Sequence, residues 1–311
     1  MNDNMINQSI KQLQSQMETV IKGKRDAIRM SVVTLLAGGN LLIEDIPGVG
    51  KTTLASALAR SLDCTFRRIQ FTSDLLPTDI IGINVFNQES KDFVFRPGPV
   101  FSNIVLADEI NRTNPKTQSA LLEAMNEKKV SVDNTTFVLP EPFMVIATQN
   151  PMESHGTFPL PESQMDRFML HIHIGYPTPE YERMAVIEQT SFELLEKLTP
   201  VISRQEIVRM QDGVEKIYAE DSVVDYLMKI VESTRRHQDI RLGSSTRGAQ
   251  FFLRAAKAYA YYEGRDFVLP DDIKMLAPLA LGHRLILKSR KTLSDAETLV
   301  REIVDKIPVP L

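Results

Sequence analysis

A run of buried-strand residues, Leu41-Leu42-Ile43-Glu44, breaks into a Pro/Gly turn, and Lys51-Thr52-Thr53 then opens a helix. No other stretch constrains the chain as much, because this is the sequence form of a phosphate-binding loop. In such a loop, backbone N–H groups and a helix N-terminus cradle phosphate. Lys51 is expected to reach the β- and γ-phosphates of a nucleotide, and the Thr52 hydroxyl to ligate Mg²⁺. The pattern G-x-x-x-x-G-K-[ST] asks for glycine at position 45, where this chain has Asp45. Aspartate tolerates unusual φ better than most residues, so the turn stays open to it if the carboxylate faces away from the phosphates. The candidate nucleotide-binding set is Asp45, Ile46, Pro47, Gly48, Val49, Gly50, Lys51, Thr52 and Thr53. An ordinary glycine-rich turn is the plain alternative. Gly48, Gly50, Lys51 and Thr52 in a strand–helix context argue against it.

With 311 residues the chain has room for two domains. Its 43% hydrophobic and 24% charged content is that of a soluble globular protein. The net charge of −4 argues against a dedicated nucleic-acid binder. A single cysteine, Cys64, rules out an internal disulfide framework and fits a reducing compartment. Between Leu62 and Phe66 it reads as a small core residue. The start, Met1-Asn2-Asp3-Asn4, lacks the plan of a signal peptide, and no apolar run is long enough to span a membrane. A cytoplasmic protein is expected.

Ile6, Ile10, Leu13, Met17 and Ile21 recur at helical spacing and predict an opening amphipathic helix, interrupted at Gly23. Ile28, Val32, Val33 and Leu36 predict a second helix, ended by Gly38-Gly39 in the manner of a C-cap. Strands are expected at 41–45, 65–71, 103–108, 143–148 and 168–174, with helices through 54–58 and from Pro115. Ser73-Asp74 is a candidate cap for a short helical turn that Pro77 would limit. Residues 82–97 alternate around Gln88-Glu89-Ser90 as an inserted hairpin would, and 130–139 flank Asp133-Asn134 as a second hairpin would. Strands alternating with helices argue for a parallel sheet covered on both faces. From Gly175-Tyr176-Pro177 the pattern turns helical. Residues 1–175 are therefore expected to form an α/β core and 176–311 a smaller all-α domain.

The second chemical signal is Ile104-Val-Leu-Ala-Asp-Glu109. Alone, an apolar run ending in Asp-Glu means only a strand reaching solvent. Beside a phosphate loop it is what Mg²⁺-dependent nucleotide hydrolysis needs. Asp108 can hold the metal through its water shell, since Mg²⁺ prefers few carboxylates and several waters. Glu109 can polarise the attacking water. His171 and His173 fall at i and i+2 on one strand face. A metal site needs more ligands and the sequence shows no companion cluster, so packing or solvation is expected there. His155, in a Ser-His-Gly turn, reads as a loop residue near the nucleotide edge.

Ala107-Asp-Glu-Ile-Asn-Arg112, the run 115–125 (Pro-Lys-Thr-Gln-Ser-Ala-Leu-Leu-Glu-Ala-Met) and Ala147-Thr-Gln-Asn-Pro151 resemble motifs of the MoxR family of AAA+ ATPases. So do Gly156-Thr-Phe-Pro-Leu-Pro-Glu162, Asp166-Arg-Phe168, Arg68-Ile-Gln-Phe-Thr72 and Leu75-Leu-Pro-Thr-Asp-Ile80. That family often carries Asp or Gly at the place of Asp45. The resemblance implies an α/β AAA+ domain with a five-stranded parallel sheet of order 5-1-4-3-2, followed by an all-α lid. It implies ATP and Mg²⁺ as ligands and hydrolysis of ATP to ADP and phosphate. Asn150 then takes the place called sensor 1, against the plain reading of a turn asparagine before a proline. Arg167 resembles an arginine finger reaching a neighbouring subunit's nucleotide, with Arg112 as its rival. Arg247, in Ser245-Thr-Arg-Gly-Ala, resembles sensor 2, acting on its own or a neighbour's nucleotide. Gly23 resembles part of a Val-x-Gly-Gln element near the adenine, with Lys24 in place of the glutamine. Segments 82–97 and 130–139 resemble the helix-2 insert and pre-sensor-1 hairpin, loops that point at a central pore or a partner.

A finger from next door implies a homo-oligomeric ring, most simply a hexamer. Chaperone-like work on a client protein is the output the family implies, with von Willebrand factor A domain proteins as partners. Chelatase-type metal-insertion motors and DNA-acting motors share the insert and hairpin and stand as alternatives, the acidic balance weighing against DNA. A module that holds ATP without turnover is a further alternative, against which Glu109 argues.

Overall fold

The computed structural model describes residues 3–46, 48–150, 156–188, 191–289 and 292–310. Five short strands form its central sheet: β1 (Leu41–Glu44), β2 (Phe66–Gln70), β3 (Ile104–Asp108), β4 (Met144–Gln149) and β5 (Leu170–Ile172). All pair in parallel in the order β5-β1-β4-β3-β2, as expected. Successive side chains of a strand point to opposite faces, so each strand feeds two cores. Ile104, Leu106, Met144 and Ile146 enter the larger cluster with residues of helices Asp3–Val20, Arg25–Leu36 and Lys51–Arg60. Val105, Ala107, Val145 and Ala147 enter the smaller one with Leu121, Leu122 and Met125 of helix Pro115–Glu127. Burial on both faces is why β1, β3 and β4 read as apolar runs, whereas the edge strand β2, Phe-Arg-Arg-Ile-Gln, is largely exposed.

Helix Asp3–Val20 buries Ile10, Leu13 and Met17 at the expected spacing, and Ile21 is buried just beyond its end. Helix Arg25–Leu36 is followed by Gly38 at φ +61°, a left-handed position that glycine takes without steric cost. Pro77 starts the next helix, Pro77–Ile81, where it was expected to limit one. Proline lacks an N–H and so suits a first helical position, and the Asp79 carboxylate accepts from Leu76 N–H at 2.9 Å to close the cap.

Both expected hairpins are present, Gly82–Asn87 with Asp92–Pro97 and Lys129–Val132 with Thr135–Val138. Phe95 stacks on Phe137 at 4.0 Å and Asn84 donates to Asp133 at 2.6 Å, so the two hairpins form one unit.

Beyond Tyr176 the chain is mainly helical, with the longest elements at Arg204–Glu215, Asp221–Arg236, Thr246–Tyr262, Pro270–Leu281 and Leu293–Lys306. Ile202–Ser203, which no strand signal marked, pairs in parallel with Leu62–Asp63. Phe252, Leu276 and Val300 belong to the same apolar cluster as Leu41 and Leu170. The helical part is thus packed on the sheet's own core.

Two polar contacts pin this seam. Asp166 accepts from Arg284 Nε at 2.9 Å and from Ser245 Oγ at 3.1 Å. The Arg284 guanidinium is buried, which lowers its pKa to about 10 against the pull of Asp166, and it also donates to the carbonyls of Phe168, Met169 and Ala280. The second contact sets His171 and His173 against Glu297. Burial alone would raise the Glu297 carboxyl, but hydrogen bonds from both histidines hold it down at about 2. Arg284→Ala would strand the Asp166 carboxylate and several carbonyl groups. A loss of about 3 kcal/mol in unfolding free energy is expected, read by urea denaturation of the full chain.

Candidate active site

Gly48 and Gly50 lie at φ +84° and +92°, where a side chain would be strained, and Gly50 caps helix Lys51–Arg60. The N–H groups of that first helical turn have no intrahelical acceptor and open into the loop. A Cβ built on Gly48 would meet nothing within 4 Å, so the space before the loop is open. Lys51 is buried, and its Nζ donates to Asp45 O at 2.5 Å and Gln149 O at 3.5 Å, at the ends of β1 and β4.

Thr52 Oγ1 donates to Asp108 Oδ2 at 3.3 Å, bringing the two expected metal-binding side chains together. Thr148 Oγ1 donates to Asp108 Oδ1 at 2.6 Å, and Arg68 on β2 donates to Oδ2 through Nη2 at 2.6 Å and Nε at 3.1 Å. Glu109 follows directly at φ +56°, a costly conformation for a glutamate and one that concentrates at functional sites. Its N–H donates to Thr148 Oγ1 at 2.9 Å, which holds the turn. Its carboxylate accepts from Gln70 Nε2 at 2.8 Å and Arg112 Nη1 at 3.0 Å. Asn150 is buried where β4 ends, between the strand of the phosphate loop and the strand of Asp108.

Arg167 lies apart from this group and donates through Nη1 to the carbonyl of Leu122. Its Nε is buried without a partner among the described residues. Arg247 is exposed in the first turn of helix Thr246–Tyr262, whose cap Ser245 touches Asp166, the residue before Arg167. Pro47 and His155, expected at the nucleotide, lie outside the described residues.

Residues 40–170 match the ATPase family associated with various cellular activities (AAA), and residues 232–307 match the AAA lid domain. The chain is 48% identical to the uncharacterized protein YeaC of Bacillus subtilis, over 94% of this chain and 92% of that one. It is 38% identical to the chaperone MoxR1 of Mycobacterium tuberculosis, over 95% of this chain and 81% of that one. The chain belongs to the MoxR family of AAA+ ATPases. A crystal structure of a putative ATPase from Cytophaga hutchinsonii superposes at TM-score 0.89 and 37% identity, over 99% of this chain and 97% of that one. ATP hydrolysis is the activity of this family.

The structure also brings into this MoxR ATPase site residues to which the sequence assigned no role. Arg68 and Gln70 stand at i and i+2, on one face of β2, and reach Asp108 and Glu109. The stretch Arg68-Ile-Gln-Phe-Thr72 resembles a family motif, but two long polar side chains spaced this way on a strand do not say what they reach. Thr148 lies in the motif 147–151, where the resemblance gives a role only to Asn150, yet its hydroxyl joins Asp108 to Glu109.

Asp45 meets the condition set by its place in the loop. Its carboxylate accepts from Ile46 N–H at 2.9 Å, Ile174 N–H at 2.7 Å and Gly175 N–H at 2.6 Å. It is thus turned to the chain that leaves β5 for the lid. Lys24 holds the same segment from the other side, donating to the carbonyls of Ile174, at 2.8 Å, and Tyr176. Burial lowers the Lys24 pKa and Asp45 opposes that shift. Gly23, at φ +75°, lies so close under the Tyr181 ring that a Cβ there would come within 2.4 Å of it. Asp45→Ala should therefore leave two N–H groups at 174–175 without an acceptor, speeding their hydrogen exchange more than tenfold while exchange within β3 stays as it is. About 1.5 kcal/mol per lost charged hydrogen bond sets that scale.

Proposed function

We propose that this chain binds ATP with Mg²⁺, hydrolyses it within a homo-oligomeric ring, and uses the cycle to remodel or assemble a client protein. The observation that carries this reading is the contact of Thr52 with Asp108 at 3.3 Å, beside Glu109 and the phosphate loop. A hydroxyl and a carboxylate side by side are hard oxygen donors, and Mg²⁺ takes few of these with water completing its shell. The bound ion would offset charge on the phosphates.

The loop 45–53 and Lys51 would hold the phosphates, with Gly23 at the base side. Glu109, at the end of its strand, would orient and deprotonate the attacking water. Asn150 would face the γ-phosphate as sensor 1. Both arginines have partners in their own chain, Arg112 the Glu109 carboxylate and Arg167 the carbonyl of Leu122, and it is the family likeness that favours Arg167 as the finger for the neighbour. Arg247 would act as sensor 2 from the lid. The division between core and lid falls at 175/176, beside the segment that Asp45 and Lys24 hold.

A hexamer is the ring we expect, in the cytoplasm. No helix among the described residues is long and apolar enough to cross a membrane. The first hairpin carries Phe86 and Phe93, a cross-strand pair beside its turn, at 52% and 67% exposure, an apolar tip suited to a client. A von Willebrand factor A domain protein is the partner that the family likeness favours. The chelatase alternative rests on a distant relative, 26% identical over 59% of this chain, and no feature of the site favours it.

Glu109→Gln should bind ATP as wild type does and lose about 10²–10⁴-fold in turnover, measured by phosphate release. Arg167→Ala should also lose turnover. Mixing it with Glu109→Gln should restore part of it, because an intact Glu109 then meets an intact finger across one interface. Arg167→Ala active on its own would exclude Arg167 as the finger.

A further inference from the structure

Away from the nucleotide, one cluster of metal-binding side chains joins the core to the lid. His171 and His173, at the end of β5, face Glu297 of helix Leu293–Lys306, and one ligand atom from each lies within 4.8 Å of the others. His171 Nδ1 is 3.1 Å from Glu297 Oε1, and His173 Nε2 is 3.6 Å from the same oxygen. Ligands at about 2.0–2.1 Å from a tetrahedral ion stand about 3.3 Å apart, so both separations bracket that edge.

The surroundings fix these groups as ligands. His173 Nδ1 lies 2.6 Å from the carbonyl oxygen of Glu44, which can only accept, so Nδ1 carries the proton. In the neutral ring Nε2 is then a lone pair facing a carboxylate oxygen, and in the protonated ring it donates to that oxygen, a hydrogen bond that raises the His173 pKa. Two acceptors so close repel unless a proton or a cation lies between them. The other Glu297 oxygen, Oε2, is 3.6 Å from Arg301 Nη2, which orients the carboxylate. A backbone carbonyl behind a histidine and a cation behind a carboxylate are the outer contacts that hold metal ligands in place. His171 Nε2 is buried with no partner among the described residues, so no second bond commits Nδ1 to being a donor. His173 is 39% exposed, which leaves an ion a way in and a water a place to complete its shell.

We propose that His171, His173 and Glu297 form a binding site for a first-row divalent transition ion of the zinc class, which staples the lid to the core. Two imidazoles with one carboxylate suit such ions, whereas Mg²⁺ and Ca²⁺ prefer oxygen alone. The ion would bond both sides of the seam, two ligands from the sheet and one from the last lid helix.

Zn²⁺ itself is the probe, titrated into tag-free, nucleotide-free full-length protein in excess Mg²⁺, against a chromophoric chelator. One Zn²⁺ per chain is expected, bound at least ~10-fold more weakly by His173→Ala and by Glu297→Gln. Asp108→Asn, at the nucleotide site, should bind Zn²⁺ as wild type does. Zn²⁺ should also raise the thermal midpoint of the wild type and leave that of His173→Ala unmoved. His173 is the half-exposed member of the cluster, so its alanine variant should fold, which circular dichroism checks. No saturable binding, or equal affinity in wild type and His173→Ala, would overturn the proposal and leave a proton as the bridge. Because the readout is binding, either outcome leaves the ATPase reading where it stands.

Discussion

Parallel strands bring all their C-terminal ends to one edge of a sheet, and the whole site hangs on that constraint. With the order β5-β1-β4-β3-β2, the strand carrying Asn150 is wedged between the one that leads into the phosphate loop and the one that ends in Asp108. The 3.3 Å contact of Thr52 with Asp108 follows from that placement, as does the reach of Thr148 from β4 to both Asp108 and Glu109. An order that moved β4 to the far edge beyond β5 would take Thr148 and Asn150 away from Asp108, by about 4.8 Å for each strand between them.

The same edge ties nucleotide chemistry to the lid. Asp45 stands where most phosphate loops have glycine, and its carboxylate gathers the N–H groups of Ile174 and Gly175. A change in the loop is therefore felt at the first residues beyond β5. On the far side of the lid, Arg284 and Ser245 meet at Asp166, one residue before Arg167. The phosphate loop thus holds the last residues before the lid, and lid residues hold the residue that precedes Arg167.

Much of this was legible in the sequence, for particular reasons. β1, β3 and β4 are buried on both faces, so they read as apolar runs; Asp108 and Glu109 stand where one of them ends, and Lys51 and Thr52 follow another across the loop. The hairpins announced themselves by alternation around polar turns. What could not be read were contacts between residues far apart along the chain. Nothing near Asp45 says that its partners are Ile174 and Gly175, and nothing near His171 and His173 points to Glu297, on the last helix. Pro77 misled because a proline can close a helix or open one, and only the Asp79 carboxylate on Leu76 N–H decides which. Strand order came from family resemblance, since periodicity carries no information on which strands are neighbours.

The central claim is that the active site is shared between subunits. It is tested most directly by specific ATPase activity as a function of protein concentration, with light scattering on the same samples. The expected result is activity per chain that rises with the oligomer fraction and levels off when the ring is complete. Constant activity per chain, down to concentrations where scattering shows only monomers, would contradict it.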